Sequence, residues 1–147
     1  MNDAQVLQGT AHPPVEIDWV SGIAFDAGRP GAHKVRIDAD VRDAPGPFDL
    51  LLGALAACAA SDVVMILQKQ RATLRSLHVN IEAKRVSGTP RHLASVVLHF
   101  IVRAQGWTPE KAGRAIELAV TKYCSVGASL RADAPITWTV DLEEAGP

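Results

Sequence analysis

PFDLLLGALAACAASDVVMILQKQR, residues 47–71, is the stretch that decides the fold. No polar side chain occurs between Leu50 and Ala60. A helix that is apolar on every side must be covered on most of its surface. The polarity-free run is well short of the about 20 residues that a membrane-spanning helix needs. The stretch therefore predicts a long buried central helix in a soluble protein.

Composition narrows the function classes. The chain has 147 residues, which fits one domain, and 15 Lys and Arg balance 16 Asp and Glu. This balance argues against a nucleic-acid protein and against a polybasic membrane binder. Two cysteines are too few for a disulfide scaffold or a four-thiolate zinc site. No secretory signal opens the sequence, so the reducing cytoplasm is the expected compartment.

Apolar and polar residues alternate on both sides of the central helix, as in half-buried strands. Residues 1–14 are predicted to be a loose tail and residues 15–147 a single domain. The first hairpin is expected to run from Val15, turn over Phe25–Gly31 and return over Lys34–Ala39. Three further strands are expected around 77–83, 96–102 and 136–142. Because the strands come in adjacent pairs, the pattern favours an α+β fold with an antiparallel sheet.

The second predicted helix ends beside the second cysteine. Thr108 suits its N-cap and Pro109 its first position. Apolar side chains recur at helical spacing up to Tyr123, and Cys124 falls where the helix should stop. Ser125 is expected to cap a short further helix. This placement puts Cys124 in a connection between two helices.

The residues alone leave the role of the thiols open. Cys58 is either a small core side chain, since free cysteine is commonly buried, or a working thiol. A working thiolate needs a cation or hydrogen-bond donors nearby. Asp62 lies one helical turn later, and a carboxylate close to a thiol raises its pKa unless a cation intervenes. The spacing by itself does not bring Cys58 and Cys124 together.

The two cysteine motifs resemble those of the OsmC/Ohr family. PFDLLLGALAACAASDVVMILQKQR, followed later by AIELAVTKYCSVGASL, is similar to its central cysteine helix and second cysteine motif. The continuation DVVMILQKQR and the motif YCSV look most similar to the YhfA-like branch. The resemblance extends from about Val15 to Leu142.

The resemblance implies an OsmC-like, intertwined homodimer with its sites at the subunit interface. It also implies a peroxidase that reduces organic hydroperoxides in oxidative-stress defence and is reset by an external dithiol. Cys58 matches the attacking cysteine and Cys124 the resolving cysteine, so a disulfide between them is implied. No metal and no organic cofactor is expected, and the five histidines form no HxxxH or HExxH motif.

Two further residues match the resemblance only loosely. Arg29, in Gly28-Arg29-Pro30-Gly31, resembles the family's hairpin arginine, although an ordinary turn with a solvated arginine fits equally. Phe48 stands where Ohr members have a glutamate, and the nearest acid is Asp49. Asp49 either acts on Cys58 across the dimer interface or caps the helix N-terminus.

A different class of function stays open beside the peroxidase. The chain could be a non-catalytic dimeric stress protein that binds a hydrophobic ligand at the subunit interface. The apolar surface of the central helix is compatible with both.

Overall fold

The computed structural model describes residues 9–146. Residues 1–8 of the predicted tail lie outside the described part, and residues 9–14 form no helix or strand. The chain divides into two compact units, Met1–Leu50 and Leu51–Pro147. The elements in chain order are β1 (Glu16–Ser21), β2 (Ala24–Gly28), β3 (Val35–Asp38), α1 (Pro47–Lys69), β4 (Thr73–Arg85), β5 (Leu93–Gln105), α2 (Pro109–Leu118), a π-helical segment (Ala119–Tyr123), α3 (Ser125–Ala128) and β6 (Ile136–Glu144).

The first unit contains a three-stranded antiparallel sheet in the order β1-β2-β3. The predicted turn over Phe25–Gly31 is present only from Arg29 onward, and its first half was wrong because Phe25 pairs with Trp19 and Ala27 with Ile17 inside β2. An additional turn, between β1 and β2, lies at Gly22, whose φ of 52° is readily adopted by glycine. One face of this sheet is apolar and largely exposed, with Trp19 at 68%.

The second unit contains a three-stranded sheet in the order β4-β5-β6. The three strands lie over the predicted ranges, and Phe100 pairs with Val79 on one side and with Val140 on the other. The core face of β5 is fully covered, since Leu98 and Val102 are both 0% exposed. The alternation of apolar and polar residues therefore indicates which face of each of these strands is the more buried one.

The expectation of a purely antiparallel sheet was wrong at its last strand. β4 and β5 are antiparallel, but β6 runs parallel to β5. Parallel neighbours need a crossover of a dozen or more residues, usually helical. The helices between Gln105 and Ile136 form such a crossover, so β5, α2 and β6 make a βαβ unit within the α+β fold.

α1 is a continuous helix over nearly the predicted range, but it is only partly buried in the single chain. Its buried side chains fall on one stripe: Leu55, Ala56, Ala59, Val63 and Leu67. By length and composition alone α1 could cross a membrane, but core helices of soluble proteins pass the same test. In its most apolar stretch of 18 residues, 28% is buried. The opposite stripe is exposed and runs through Ala54, Ala57, Ser61 and Met65.

Candidate functional site: a pair of neighbouring thiols

Cys124 is placed by a local departure from the α-helix. α2 begins as predicted, with Thr108 Oγ1 accepting from the Lys111 N–H at 3.3 Å and Pro109 at its start. After Leu118 the helix widens into the π-helical segment, and the Cys124 N–H donates to the Ala119 carbonyl, five residues earlier, at 2.9 Å. Tyr123 consequently leaves the buried stripe and is 49% exposed, while Cys124 is only 5% exposed.

The Cys124 thiol forms two hydrogen bonds inside the second unit. It donates to the Leu55 carbonyl of α1 at 3.9 Å, a distance that sulfur permits. It accepts from the Gly127 N–H at 3.3 Å, and so caps α3. Ser125, the predicted cap, is therefore the first residue of α3, and the cap is the cysteine before it.

Cys58 is the neighbour of Cys124. Burial raises the pKa of the Cys124 thiol, the Gly127 N–H opposes that rise, and the Cys58 thiol and the Asp62 carboxylate add to it. Cys58 itself is half-buried, and both cysteines are free thiols. The fold thus brings the two sequence-predicted cysteines together, which their spacing alone could not establish.

An apolar groove begins at Asp62, one helical turn after Cys58. It has a volume of about 270 Å³ and lies between the second half of α1 and the end of α2. Its walls are Met65, Ile66, Leu118 and Tyr123, with Asp62 and Lys69 as the charged lining residues. Asp62 is one turn along α1 from Cys58, which places both side chains on the same helical face.

Asp49 lies in the first unit and caps the start of α1. Its Oδ2 accepts from the Gly46 N–H at 2.9 Å. A side chain at the third helical position that reaches back to the N-cap N–H is half of a capping box. The capping role considered from the sequence is therefore present in the structure.

Arg29 also lies in the first unit, at an exposed turn between β2 and β3. Its carbonyl accepts from the Ala32 N–H at 3.1 Å, and Gly31 has a φ of 72°. Among residues 9–50 the Arg29 side chain has no ion-pair partner. The first unit therefore contains the ordinary turn with an exposed arginine that the sequence also allowed.

Two features of the site carried no usable sequence signal. The π-helical segment has no recognisable sequence pattern, and cysteine is not among the residues expected at an N-cap. The groove was also missed, because it needs α1 and α2 to be side by side. Within residues 9–146, no group of three or more His, Cys, Asp and Glu side chains is arranged to hold a metal ion.

Comparison with known proteins agrees with this architecture. The family model described as OsmC-like protein matches residues 38–139. Protein YhfA of Escherichia coli K12 is 33% identical over 130 residues, covering 88% of this chain and 97% of YhfA.

Solved structures share the fold at lower sequence identity. The OsmC-like protein of Mycoplasma pneumoniae has a TM-score of 0.76 at 17% identity, covering 90% of this chain and 97% of that one. An organic hydroperoxide resistance protein OsmC of Legionella pneumophila has a TM-score of 0.66 at 16% identity, covering 91% and 99%. The resemblance drawn from the two cysteine motifs is confirmed: this chain belongs to the OsmC-like family, with YhfA among its relatives.

Proposed function

We propose that this protein is a thiol-dependent peroxidase that reduces organic hydroperoxides in oxidative-stress defence. The observation that carries the proposal is the pairing of a half-buried thiol, Cys58, with a buried thiol, Cys124, both of them free. The likeness to a fold found in the Legionella hydroperoxide resistance protein adds support. The chemistry needs no metal and no organic cofactor.

The proposed cycle has three balanced steps. The Cys58 thiolate attacks the distal peroxide oxygen, so that an S–O bond forms and the O–O bond breaks, and the leaving alkoxide takes up the proton that the Cys58 thiol lost on ionising and departs as the alcohol. The resulting Cys58 sulfenic acid condenses with the Cys124 thiol, forming a disulfide and releasing water. An external dithiol then reduces the disulfide by exchange and becomes a disulfide itself.

Burial supports this division of roles between the two cysteines. A peroxide can approach a half-buried thiol more readily than one that is 5% exposed. The raised pKa of Cys124 keeps it protonated and less nucleophilic before Cys58 is oxidised. The leucine and alanine side chains around Cys58 favour bulky organic peroxides over hydrogen peroxide.

The exposed stripe of α1 supports a homodimer. Ala54, Ala57 and Ser61 are small and lie in the open, and an added Cβ at Gly53 would meet nothing within 4 Å. Small side chains allow two helix backbones to approach closely. We therefore propose that a second copy covers this stripe in an intertwined dimer that works in the reducing cytoplasm.

Arg29 and Asp49 enter the proposal as activating residues that reach Cys58 from the second subunit. An arginine near a thiol lowers the thiol pKa and so increases the attacking thiolate. A carboxylate near that arginine would hold it in position. The capping bond of Asp49 to Gly46 uses only one of its two carboxylate oxygens.

The test is the identity of the oxidised product. One equivalent of cumene hydroperoxide should convert the reduced protein to a form lacking two hydrogens, with peptides containing Cys58 and Cys124 linked. Cys58→Ser should abolish peroxide consumption, and Cys124→Ser should leave a sulfenic acid at Cys58. If Cys58 stays a free thiol while peroxide is present in excess, the peroxidase proposal is wrong.

Mixing two inactive variants tests whether Arg29 acts across the interface. In a heterodimer of Arg29→Ala and Cys58→Ser, each subunit lacks one of the two residues. One of the two sites would nevertheless combine Cys58 of the first subunit with Arg29 of the second. Random reassociation should restore about a quarter of the wild-type activity in a symmetric dimer. No recovery after confirmed subunit exchange would place Arg29 outside the site or on the same subunit.

The apolar groove between α1 and the end of α2 favours a second candidate function. A non-catalytic dimer could hold a hydrophobic ligand against Met65, Ile66 and Leu118. In that case a fluorescent fatty acid would bind equally to the wild type and to Cys58→Ser. Binding without any peroxide consumption by the wild type would favour this function.

A further inference from the structure

Asp62 is a half-buried carboxylate that has no role in the proposed cycle. It forms no side-chain hydrogen bond or ion pair with the described residues of its own unit. It is the single acidic side chain among the residues that line the groove. Cys58 is one turn before it on α1, and Tyr123, across the groove, directly precedes Cys124.

Cys124 must lose a proton at the condensation step, in surroundings that oppose a free thiolate. Burial, the Cys58 thiol and the Asp62 charge all raise its pKa, and the Gly127 N–H opposes that rise. The thiol proton also points at a backbone carbonyl, that of Leu55, which cannot accept it as a base. The attack therefore needs a proton acceptor that is already in place.

We propose that Asp62 accepts the Cys124 proton while the disulfide forms and passes it to the departing hydroxide. This inference rests on the proposed peroxidase function and assigns a further residue to its second step. The unpaired carboxylate beside the thiol pair, on the Cys58 face of α1, is the observation that carries it.

The step balances without any other reactant. As the Cys124 sulfur bonds to the Cys58 sulfur, the S–O bond of the sulfenic acid breaks. The proton moves from the Cys124 sulfur to the Asp62 carboxylate and then to the leaving oxygen, which departs as water. Asp62 ends the step ionised, as it began.

The experiment measures the two chemical steps separately in Asp62→Asn, Asp62→Glu and the wild type. Rapid mixing with cumene hydroperoxide followed by dimedone trapping gives the formation and decay of the Cys58 sulfenic acid. Non-reducing mass analysis gives the appearance of the disulfide. Asp141→Asn, an exposed carboxylate on β6, serves as the matched control.

Asp62→Asn should form the sulfenic acid at the wild-type rate but condense about 100-fold more slowly, within the usual range for a lost general base. Asp62→Glu should keep most of the condensation rate. The deficit of Asp62→Asn should shrink as the pH rises, because Cys124 then ionises without help. Cys58 and Asp62 are the titratable groups that act on the Cys124 thiol, and Tyr123 and Lys69 face Asp62 in the groove.

Three results would overturn the inference while leaving the peroxidase proposal intact. Condensation in Asp62→Asn could be unchanged or faster, which would leave Asp62 with only an electrostatic effect. Asp62→Glu could be as slow as Asp62→Asn with a pH-independent deficit, which would indicate a packing role. The defect could fall on sulfenic acid formation. A wild type that forms no sulfenic acid would instead overturn the peroxidase proposal, and the inference with it.

Discussion

Replacing Leu55 with alanine should uncover Cys124 without removing any of its hydrogen bonds. Leu55 is 1% exposed, and its Cδ1 would lie 3.4 Å from a Cβ built on Gly127. Its side chain therefore packs beneath α3. The carbonyl that accepts from the thiol belongs to the backbone, so it remains in Leu55→Ala.

The expected loss in the free energy of unfolding is about 3 kcal/mol, within the 2–5 kcal/mol range of buried Leu→Ala changes. We place it in the middle of that range because α3 has 4 residues and can shift to fill part of the cavity. Leu98→Ala is the matched control. Leu98 is 0% exposed in the central strand of its sheet, which is bonded on both sides, so it should lose about 4 kcal/mol.

Two measurements separate these variants. Urea unfolding at fixed protein concentration gives the stability losses, and reaction of Cys124 with an aromatic disulfide reagent in a Cys58→Ser background gives its accessibility. If half of the Leu55→Ala loss falls on local opening of α3, Cys124 should react about tenfold faster. Leu98→Ala should leave that rate nearly unchanged. Equal reactivity in the two variants would refute the placement of Leu55 as the cover of the thiol.

Three further variants test other parts of the structure. The folded state raises the pKa of Cys124. The contribution of this thiol to stability is therefore complete below the unfolded thiol pKa of about 8.5 and is lost as the pH rises through the folded pKa. Cys124→Ala should remove this alkaline decline, as measured by urea unfolding at several pH values. Ala57→Arg should convert the proposed dimer to a monomer in sedimentation velocity, whereas Ser87→Arg in the exposed β4–β5 turn should not; a dimeric Ala57→Arg would contradict the α1 interface. Asp49→Ala should lower the free energy of unfolding by about 1 kcal/mol through the lost cap, and Asp49→Asn, which keeps an acceptor oxygen, should lose less; equal losses would argue against the bond to Gly46.

The sequence predicted the second unit better than the first because its strands alternate over long runs. Val96, Leu98 and Phe100 repeat every second residue, and a one-residue slip would expose all of them. β1 and β2 are short, and Phe25 lies close to several glycines and a proline. Those residues suggested a turn where the structure has a strand pair.

The parallel direction of β6 could not be read from its own residues. Ile136, Trp138 and Val140 would alternate in the same way beside either a parallel or an antiparallel neighbour. The long helical connection before β6 indicates a parallel strand. The prediction instead followed the adjacent pairing of the earlier strands, which favours an antiparallel one. Direction is a property of the connection rather than of the strand.

The candidate site was predicted in its identities but not in its geometry. Cys58 and Cys124 were identified through motif resemblance, while their proximity depends on how α1, α2 and α3 pack. Asp62 was visible as a residue one turn from Cys58. Its position at the edge of a groove requires the opposite wall, which Leu118 and Tyr123 supply from another helix.

The π-helical segment has a consequence for how this chain tolerates changes in length. A π-helical turn contains one residue more than an α-helical turn, so deletion of a single residue within 119–123 would allow α2 to continue as a regular α-helix. Regular α-helix is the more common geometry, and such a deletion could be neutral or favourable for the helix alone. Because the widened turn already takes up the extra residue, this deletion would leave the position of Cys124 about the helix axis nearly unchanged. Loss of one residue at this turn would thus preserve the thiol pair, whereas loss of one residue earlier in α2 would turn Cys124 by about 100° about the helix axis and carry its sulfur away from Cys58.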